Sequence, residues 1–210
     1  MGSIFSPDGP FNTFMTLVFD IMILSILWIL CCVPVITIGA STTALYTVML
    51  KRADNEEGYV IRGFFKAFKS NFRQTLPLTL MMLLIGAVLF VDFYIVSTWQ
   101  FAAGSVMYAL CLVALFFFAG IFSYVWPLTA TFENTRIQTL NNALRLTLGK
   151  LPWTLLLVLL NGLPVFTMLF LPGVFARILF LWILIGGGLT AYLASRILNP
   201  IFKSIIGSEG

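Results

Sequence analysis

Apolar residues run through this chain in long blocks separated by proline, glycine or basic residues, and the length of each block predicts its structure. Phe11 to Val33 is apolar almost throughout and is closed by Pro34, which lacks the N–H that a continuing helix would use. Comparable blocks cover Leu76 to Val96, Ser105 to Thr131, Leu151 to Leu171 and Val174 to Ser195, the last two joined by a Leu-Pro-Gly turn. Each reaches the ~20 residues that a helix needs to cross a bilayer core. Val35 to Leu50 is shorter, about 24 Å as a helix, enough to span only where the membrane thins or neighbours shield its ends. The pattern predicts an all-α membrane protein: a six-helix transmembrane bundle with a short second helix, or five spans if that segment only re-enters.

The two long polar connections carry a pattern of their own. In YVIRGFFKAFKSNFR, Ile61, Phe64, Phe65, Phe68 and Phe72 recur at helical spacing, while Arg62, Lys66, Lys69 and Arg73 form a separate basic stripe. Such a helix either lies in the inner headgroup plane, its phenylalanines in acyl chains and its cations on anionic phosphates, or packs on the cytoplasmic face of the bundle. Ile137, Leu140, Leu144, Leu148 and Leu151 trace a similar stripe in the second connection. The sequence thus predicts two cytoplasmic amphipathic interfacial helices beside the spans.

These segments also repeat. LPLTLMMLLIGAV from Leu76 and LPWTLLLVLLNGL from Leu151 share Leu, Pro, Thr and Leu at the same offsets, and each follows an amphipathic helix. An internal duplication of span, interfacial helix and LPxTL span follows, with the Val35 segment matching the Ser105 span. That correspondence favours six helices. The prolines open their spans, where a missing N–H costs little.

Composition agrees. Of 210 residues 60% are hydrophobic and 10% charged, far from the balance of soluble domains, and mean hydropathy is +1.02. The spans recur along the whole length, so residues 1–210 read as one polytopic domain. Met1 to Pro10 carries no Lys or Arg and no A-x-A site follows, so the first helix is expected to stay in the mature protein. Lys and Arg concentrate between Lys51 and Thr75 and between Phe132 and Lys150, which the positive-inside rule places in the cytoplasm with the C-terminus. The N-terminus joins them if the second helix spans. A net charge of +4 then reports topology and anionic lipid rather than nucleic acid. The chain has no histidine and three cysteines, Cys31, Cys32 and Cys111, inside apolar runs. Those read as small hydrophobes, and most hydrolase, metalloenzyme and cofactor chemistry loses its usual residues. No enzyme is expected; a lipid-modifying enzyme built on Asp or Glu is the least favoured alternative.

The polar groups inside the spans are the candidate site. Asp20 falls near the middle of the first span, where a carboxylate costs a few kcal/mol unless protonated, paired or wetted. It is read either as an ion-, proton- or hydroxyl-binding residue or as structural glue bonded to Ser41, Thr42 or Thr43 on the next helix. Asn161 reads as an interhelical hydrogen-bonding residue. The small residues of TIGASTTA suit close helix packing, or alternatively a polar cavity entered through Pro34 and Gly39. Trp28, Tyr46, Trp126 and Trp153 are candidate aromatic platforms or interfacial anchors. Asp92, Asp54, Glu56, Glu57, Glu133, Asn134 and Arg136 sit nearer the ends of spans or in connections, where solvated charge is the plain explanation.

SPDGPFNTF, the intramembrane Asp20, LWILCCVPVITIGASTTALYTVMLK, NEEGYVIRGFFKAFKSNFRQ and NNALRLTL together resemble the YesL family, also called the domain-of-unknown-function 624 family, over nearly the whole chain. The resemblance implies a small bacterial, multi-pass inner-membrane protein whose genes neighbour those of carbohydrate ABC transporters and sensor kinases. It implies no catalytic residue. The expected function is an accessory or partner protein in carbohydrate uptake or its sensing, acting by helix packing with a transporter or sensor component. The alternative is a small independent carrier or channel using Asp20 and the hydroxyl-rich second helix.

Overall fold

The structure, a computed structural model, describes residues 10–54, 58–98 and 104–206. Helix α1 (Pro10–Cys32) ends at Pro34, and a single 3-10 turn, Val35–Thr37, leads into α2 (Ile38–Ala53). The Thr37 hydroxyl lies between the carbonyls of Cys31 and Pro34 and closes this corner. Helix α3 (Val60–Thr98) leads to α4 (Gly104–Thr131), followed by α5 (Arg136–Gly149) and α6 (Leu151–Phe170). Helix α7 (Pro172–Leu181) runs through a π-helical turn, Trp182–Gly186, into α8 (Gly187–Ile206). The protein is an all-α membrane protein. Five helical stretches are long and apolar enough to cross a bilayer: Phe11–Cys32, Val60–Thr98, Ser105–Thr131, Leu151–Phe170 and Pro172–Ile205. The short α2 is not among them.

Helix α2 is nevertheless the centre of the bundle. Gly39, Ala40, Ser41, Thr43, Ala44, Leu45, Tyr46, Met49, Leu50 and Ala53 are all buried, against α3, α8, α4 and α1. Small side chains are what allow this. A Cβ on Gly39 would overlap Thr79 Oγ1 and stand 2.5 Å from Trp126 Cζ3. At its far end α8 supplies the missing helical partners: Arg196 Nη1 donates to Ala53 O at 3.5 Å and Asn199 Nδ2 to Leu50 O at 3.3 Å, while Lys203 pairs with Asp54 at 2.7 Å. These contacts define a basic end of the molecule. Helix α1 leaves it and α2 returns; α3 leaves and α4 returns, with Phe132 at its close against Phe202 of α8. The α1–α2 and α3–α4 pairs are thus antiparallel, with five rather than six stretches among the described residues long and apolar enough to span.

The first interfacial helix and the span after it are one continuous helix, where the sequence predicts two. Its 39 residues run through Pro77. The proline leaves the Arg73 carbonyl without its i+4 donor, and Arg136 Nη2 donates to it at 3.5 Å, beside Gln74 Nε2 donating to Asn134 O at 2.8 Å. The corner before α5 thus supports α3 at its weakest point. Phe64 is fully buried, with Phe68 and Phe72 following it along the inward side in successive ring contacts. Contact with acyl chains is therefore corrected for Phe64, and among these phenylalanines Phe65 is the exposed one.

In the second copy the break is real. A capping box, Thr135 with Gln138, starts α5, and α6 begins after Lys150 with Pro152 in its first turn. Here Thr139, Ala143 and Thr147 face the bundle while Ile137, Leu144 and Leu148 stay exposed, so α5 turns its leucine stripe outward. Helix α8 continues to Ile206 and takes Arg196 and Lys203 with it; the sequence ends that span at Ser195. Glu56 and Glu57 lie outside the described residues.

Candidate functional site

Two polar constellations sit on α2, one at each end. At the basic end, Asp20 Oδ2 meets Arg52 Nη2 at 3.0 Å, with side chains only 15% and 16% exposed. Asp20 therefore does not bond to Ser41, Thr42 or Thr43, and the reason is register. It lies about 18 Å below the end of α1, and Arg52 about 21 Å along α2, at 1.5 Å per residue, so the two meet across the antiparallel pair. The three hydroxyls, one turn into α2, are level with Trp28 instead. Ser41 Oγ donates to the Trp28 carbonyl at 3.0 Å and Trp28 Nε1 donates to Thr42 Oγ1 at 3.1 Å. Thr43 Oγ1 is buried with no partner among the described residues.

Beside the ion pair, a cleft of about 350 Å³ opens between α2 and the first turns of α3, with Lys51, Arg52 and Lys66 on its wall and Tyr59, Ser70 and Asn71 between them. Arg62, Lys66, Lys69 and Arg73 are all exposed on the outer side of α3. The predicted basic stripe is therefore on the surface of the helix rather than inside the bundle.

At the other end of α2 lies a second cavity, of about 390 Å³, between α1, α2, α4, α6 and the π turn. It brings together Trp28, Tyr46 and Trp126, three of the four aromatic platforms expected from sequence, with Asn161. Trp153 stays apart, 45% exposed on α6. Asn161 Nδ2 donates to Ser123 Oγ at 3.3 Å and engages the Tyr46 hydroxyl, so it is an interhelical bond as predicted and also part of a cavity wall. Asp92 is exposed on α3 and joins neither constellation.

Helix α8 makes this packing possible through a run of three glycines. Gly188 N–H donates to Ser25 Oγ at 2.8 Å, and a Cβ there would stand 2.5 Å from the Ile21 carbonyl oxygen. Backbone meets backbone at this point. The sequence reading missed Arg52, Ser25, Ser123 and Trp182. Arg52 is recoverable by counting residues back from the Pro34 corner; Gly186-Gly187-Gly188 inside an apolar helix marks a close approach without naming what approaches.

The family described as "Protein of unknown function, DUF624" matches residues 21–93, a stretch that holds the α1–α2 corner, Arg52 and the basic stripe of α3. A relative named "Uncharacterized protein YteU", from Bacillus subtilis (strain 168), is 25% identical over 135 residues, 64% of this chain and 60% of the relative. The chain is thus aligned to less than two thirds of that relative's length. No solved structure matches.

Proposed function

We propose, from the match of residues 21–93 to the DUF624 family, that the chain is a non-enzymatic accessory subunit of the bacterial inner membrane, packing against a transporter or sensor component of carbohydrate uptake. The observation that carries the reading is that Asp20, Ser41 and Thr42, groups a carrier would expose, are spent inside the bundle. Asp20 is neutralised by Arg52, Ser41 is committed to the Trp28 carbonyl and Thr42 to its indole. Ion coupling through Asp20, the alternative, would first have to break that pair. What the molecule leaves for others is apolar helix surface: Leu84, Phe90 and Val91 on α3, and Leu169 and Phe180 on the α6–α7 hairpin, are all exposed. The carbohydrate setting rests on the family resemblance.

The same reading puts the basic end in the cytoplasm with both termini, by the excess of Lys and Arg there. Arg62, Lys66, Lys69 and Arg73, with Lys51 at the cleft, then hold anionic headgroups of the inner leaflet, each worth about 1 kcal/mol near a charged surface.

Isolation in native nanodiscs, followed by mass spectrometry, tests both parts. A carbohydrate-transporter membrane subunit or a sensor kinase is expected to co-purify, and to be lost on Leu84→Ser with Phe90→Ser. Recovery of the chain with lipid alone overturns the partner reading. Phosphatidylglycerol is expected among the retained lipids and to fall on Lys66→Gln with Lys69→Gln; unchanged retention overturns the headgroup contact.

A further inference from the structure

The cleft between α2 and the first turns of α3 differs from the rest of the basic end in that its positive charge is not balanced. A neighbouring hollow of about 270 Å³, between α2, α4 and α8, has Lys51, Lys203 and Asp54 on its wall, and there Asp54 answers Lys203 at 2.7 Å. The 350 Å³ cleft has Lys51, Arg52 and Lys66 on its wall, and none of its described lining residues is an Asp or Glu. Asp20 neutralises Arg52, while Lys51 and Lys66 form no ion pair among the described residues. Two ammonium groups are left over.

The neutral polar groups of the cleft are already engaged. Thr47 Oγ1 donates to Thr43 O at 2.8 Å and Ser70 Oγ to Ala67 O at 3.1 Å, and Asn71 Nδ2 donates to the same Ala67 carbonyl at 2.9 Å and to Ser70 Oγ at 3.5 Å. What the cleft has to offer is therefore cationic: the two lysines and the N–H groups of Arg52 that Asp20 does not take, a guanidinium carrying five in all. The ion pair holds Arg52 at 16% exposure, so one wall is a fixed fork. An uncharged polyol would leave both ammonium groups unanswered. At the floor the helices stand close but not in collision, with a Cβ on Gly63 lying 3.5 Å from Val48 Cγ2. Gly63 and Ala67, one turn apart on the same side of α3, are small enough to leave the space between the cations open.

The geometry points to a binding site for a phosphomonoester in this cleft. Its charge of about −1.5 to −2 at neutral pH answers both lysines, where a carboxylate or a phosphodiester brings a single charge, and its terminal oxygens accept from Lys51, Lys66 and Arg52 together. Val48, Val60 and Ala67 give the cleft an apolar side, which suits the carbon skeleton of an ester rather than inorganic phosphate. The volume lies at the small end of the usual range for ligand pockets and admits the phosphate with a few carbons. The same chemistry belongs to the headgroup of phosphatidic acid and to small soluble phosphate esters, and the test separates the two. This inference goes beyond the headgroup contact proposed for the basic stripe and does not depend on it, because the site is discrete and its probe is offered in neutral lipid.

The test uses the full chain in phosphatidylcholine nanodiscs. One arm adds phosphatidic acid to the bilayer, with phosphatidylglycerol as the singly charged control, and counts retained lipid by native mass spectrometry; the other titrates glycerol 3-phosphate by calorimetry. Saturation near one phosphomonoester per chain is expected in at least one arm, and the arm that saturates says whether the ester is lipid or solute. Lys51→Gln with Lys66→Gln should weaken binding roughly 25-fold, about fivefold for each lysine. Arg62→Gln with Lys69→Gln removes the same charge from the outer side of α3, away from the cleft, and should change affinity by less than about twofold. Gly63→Leu fills the cleft without altering charge, and its first added atom meets Val48 at ordinary contact distance, so the helix pair should persist while affinity falls roughly tenfold. Saturation in neither arm overturns the inference. So does an equal loss from the two double variants, undiminished binding by Gly63→Leu, or phosphatidylglycerol held as tightly as phosphatidic acid.

Discussion

Removing either member of the Asp20–Arg52 pair should destabilise the protein far more than its length of contact suggests, and removing both should not cost twice as much. The atoms stand 3.0 Å apart in side chains about 85% shielded from solvent. At an effective dielectric near 20 their attraction is about 5 kcal/mol, against which desolvation of both groups must be set. Truncating one partner of a well-shielded pair costs about 3 to 5 kcal/mol, because the other charge is left behind. The lower half of that range fits a pair that retains some exposure. Asp20→Ala and Arg52→Ala should therefore each cost about 3 kcal/mol, lowering the melting temperature by roughly 6 to 12 °C at this chain length. The double variant should cost about 3 to 4 kcal/mol in total, leaving a coupling of about 2 to 3 kcal/mol. Arg52→Lys should recover part of it, losing the planar fork but keeping the charge. The measurement is reversible unfolding in mild detergent, followed by helical circular dichroism across the four corners of the cycle. Additivity within about 0.5 kcal/mol would mean that the two charges stabilise the bundle independently, and the pairing argument would fail.

Further consequences follow from the close approaches. Gly188→Ala places a methyl group 2.5 Å from the Ile21 carbonyl oxygen, which only backbone movement relieves, so a loss of about 2 to 3 kcal/mol is expected in the same unfolding assay; a loss under about 0.5 kcal/mol would mean that α1 and α8 are looser than described. Gly39→Ala should destabilise by a similar amount, and Thr79→Ala should return part of it, since Thr79 Oγ1 is the nearest atom; no rescue would assign the strain to Trp126. Lys203→Ala breaks a 2.7 Å pair whose lysine is 66% exposed, so the cost should stay below about 1 kcal/mol and shrink with salt; a larger, salt-independent loss would give that pair a structural role.

The parts of the fold that were legible in the sequence are those set by composition over many residues: the long apolar helices, the corner at Pro34, the start of α6 at Pro152. What stayed hidden depends on which helix lies against which. Asp20 was visible as an anomaly, but its partner lay 32 residues on, across a turn whose register had to be counted. Trp28 and Trp126 were visible too and Trp182 was not, and the glycines beneath these side chains bring the three together. Phe64, Phe68 and Phe72 form an apolar stripe in either setting, and nothing in periodicity distinguishes a neighbouring helix from an acyl chain as the apolar phase.

The repeat shows how far such reasoning extends once packing is known. Thr79 and Thr154 hold the same place in the two LPxTL segments, and each is pressed against a glycine of the preceding leg, Thr79 against Gly39 and Thr154 against Gly120, where a Cβ would lie 2.9 Å from Thr154 Cγ2. The two contacts are alike in kind, though a Cβ on Gly120 would lie nearer still to Thr147 of α5, 2.7 Å from its Cγ2, a neighbour that Gly39 does not have. The copies then part in a way their sequences explain. In the first, Phe64 and Phe68 pull the amphipathic segment onto α2, so the helix runs on through Pro77 with Arg136 attending the orphaned carbonyl. In the second, Thr139, Ala143 and Thr147 are too small to bury comparable area, and Gly149 with Lys150 ends the helix before the span begins. One copy became the rigid wall beside the ion pair. The other kept a separate helix whose leucines remain turned outward.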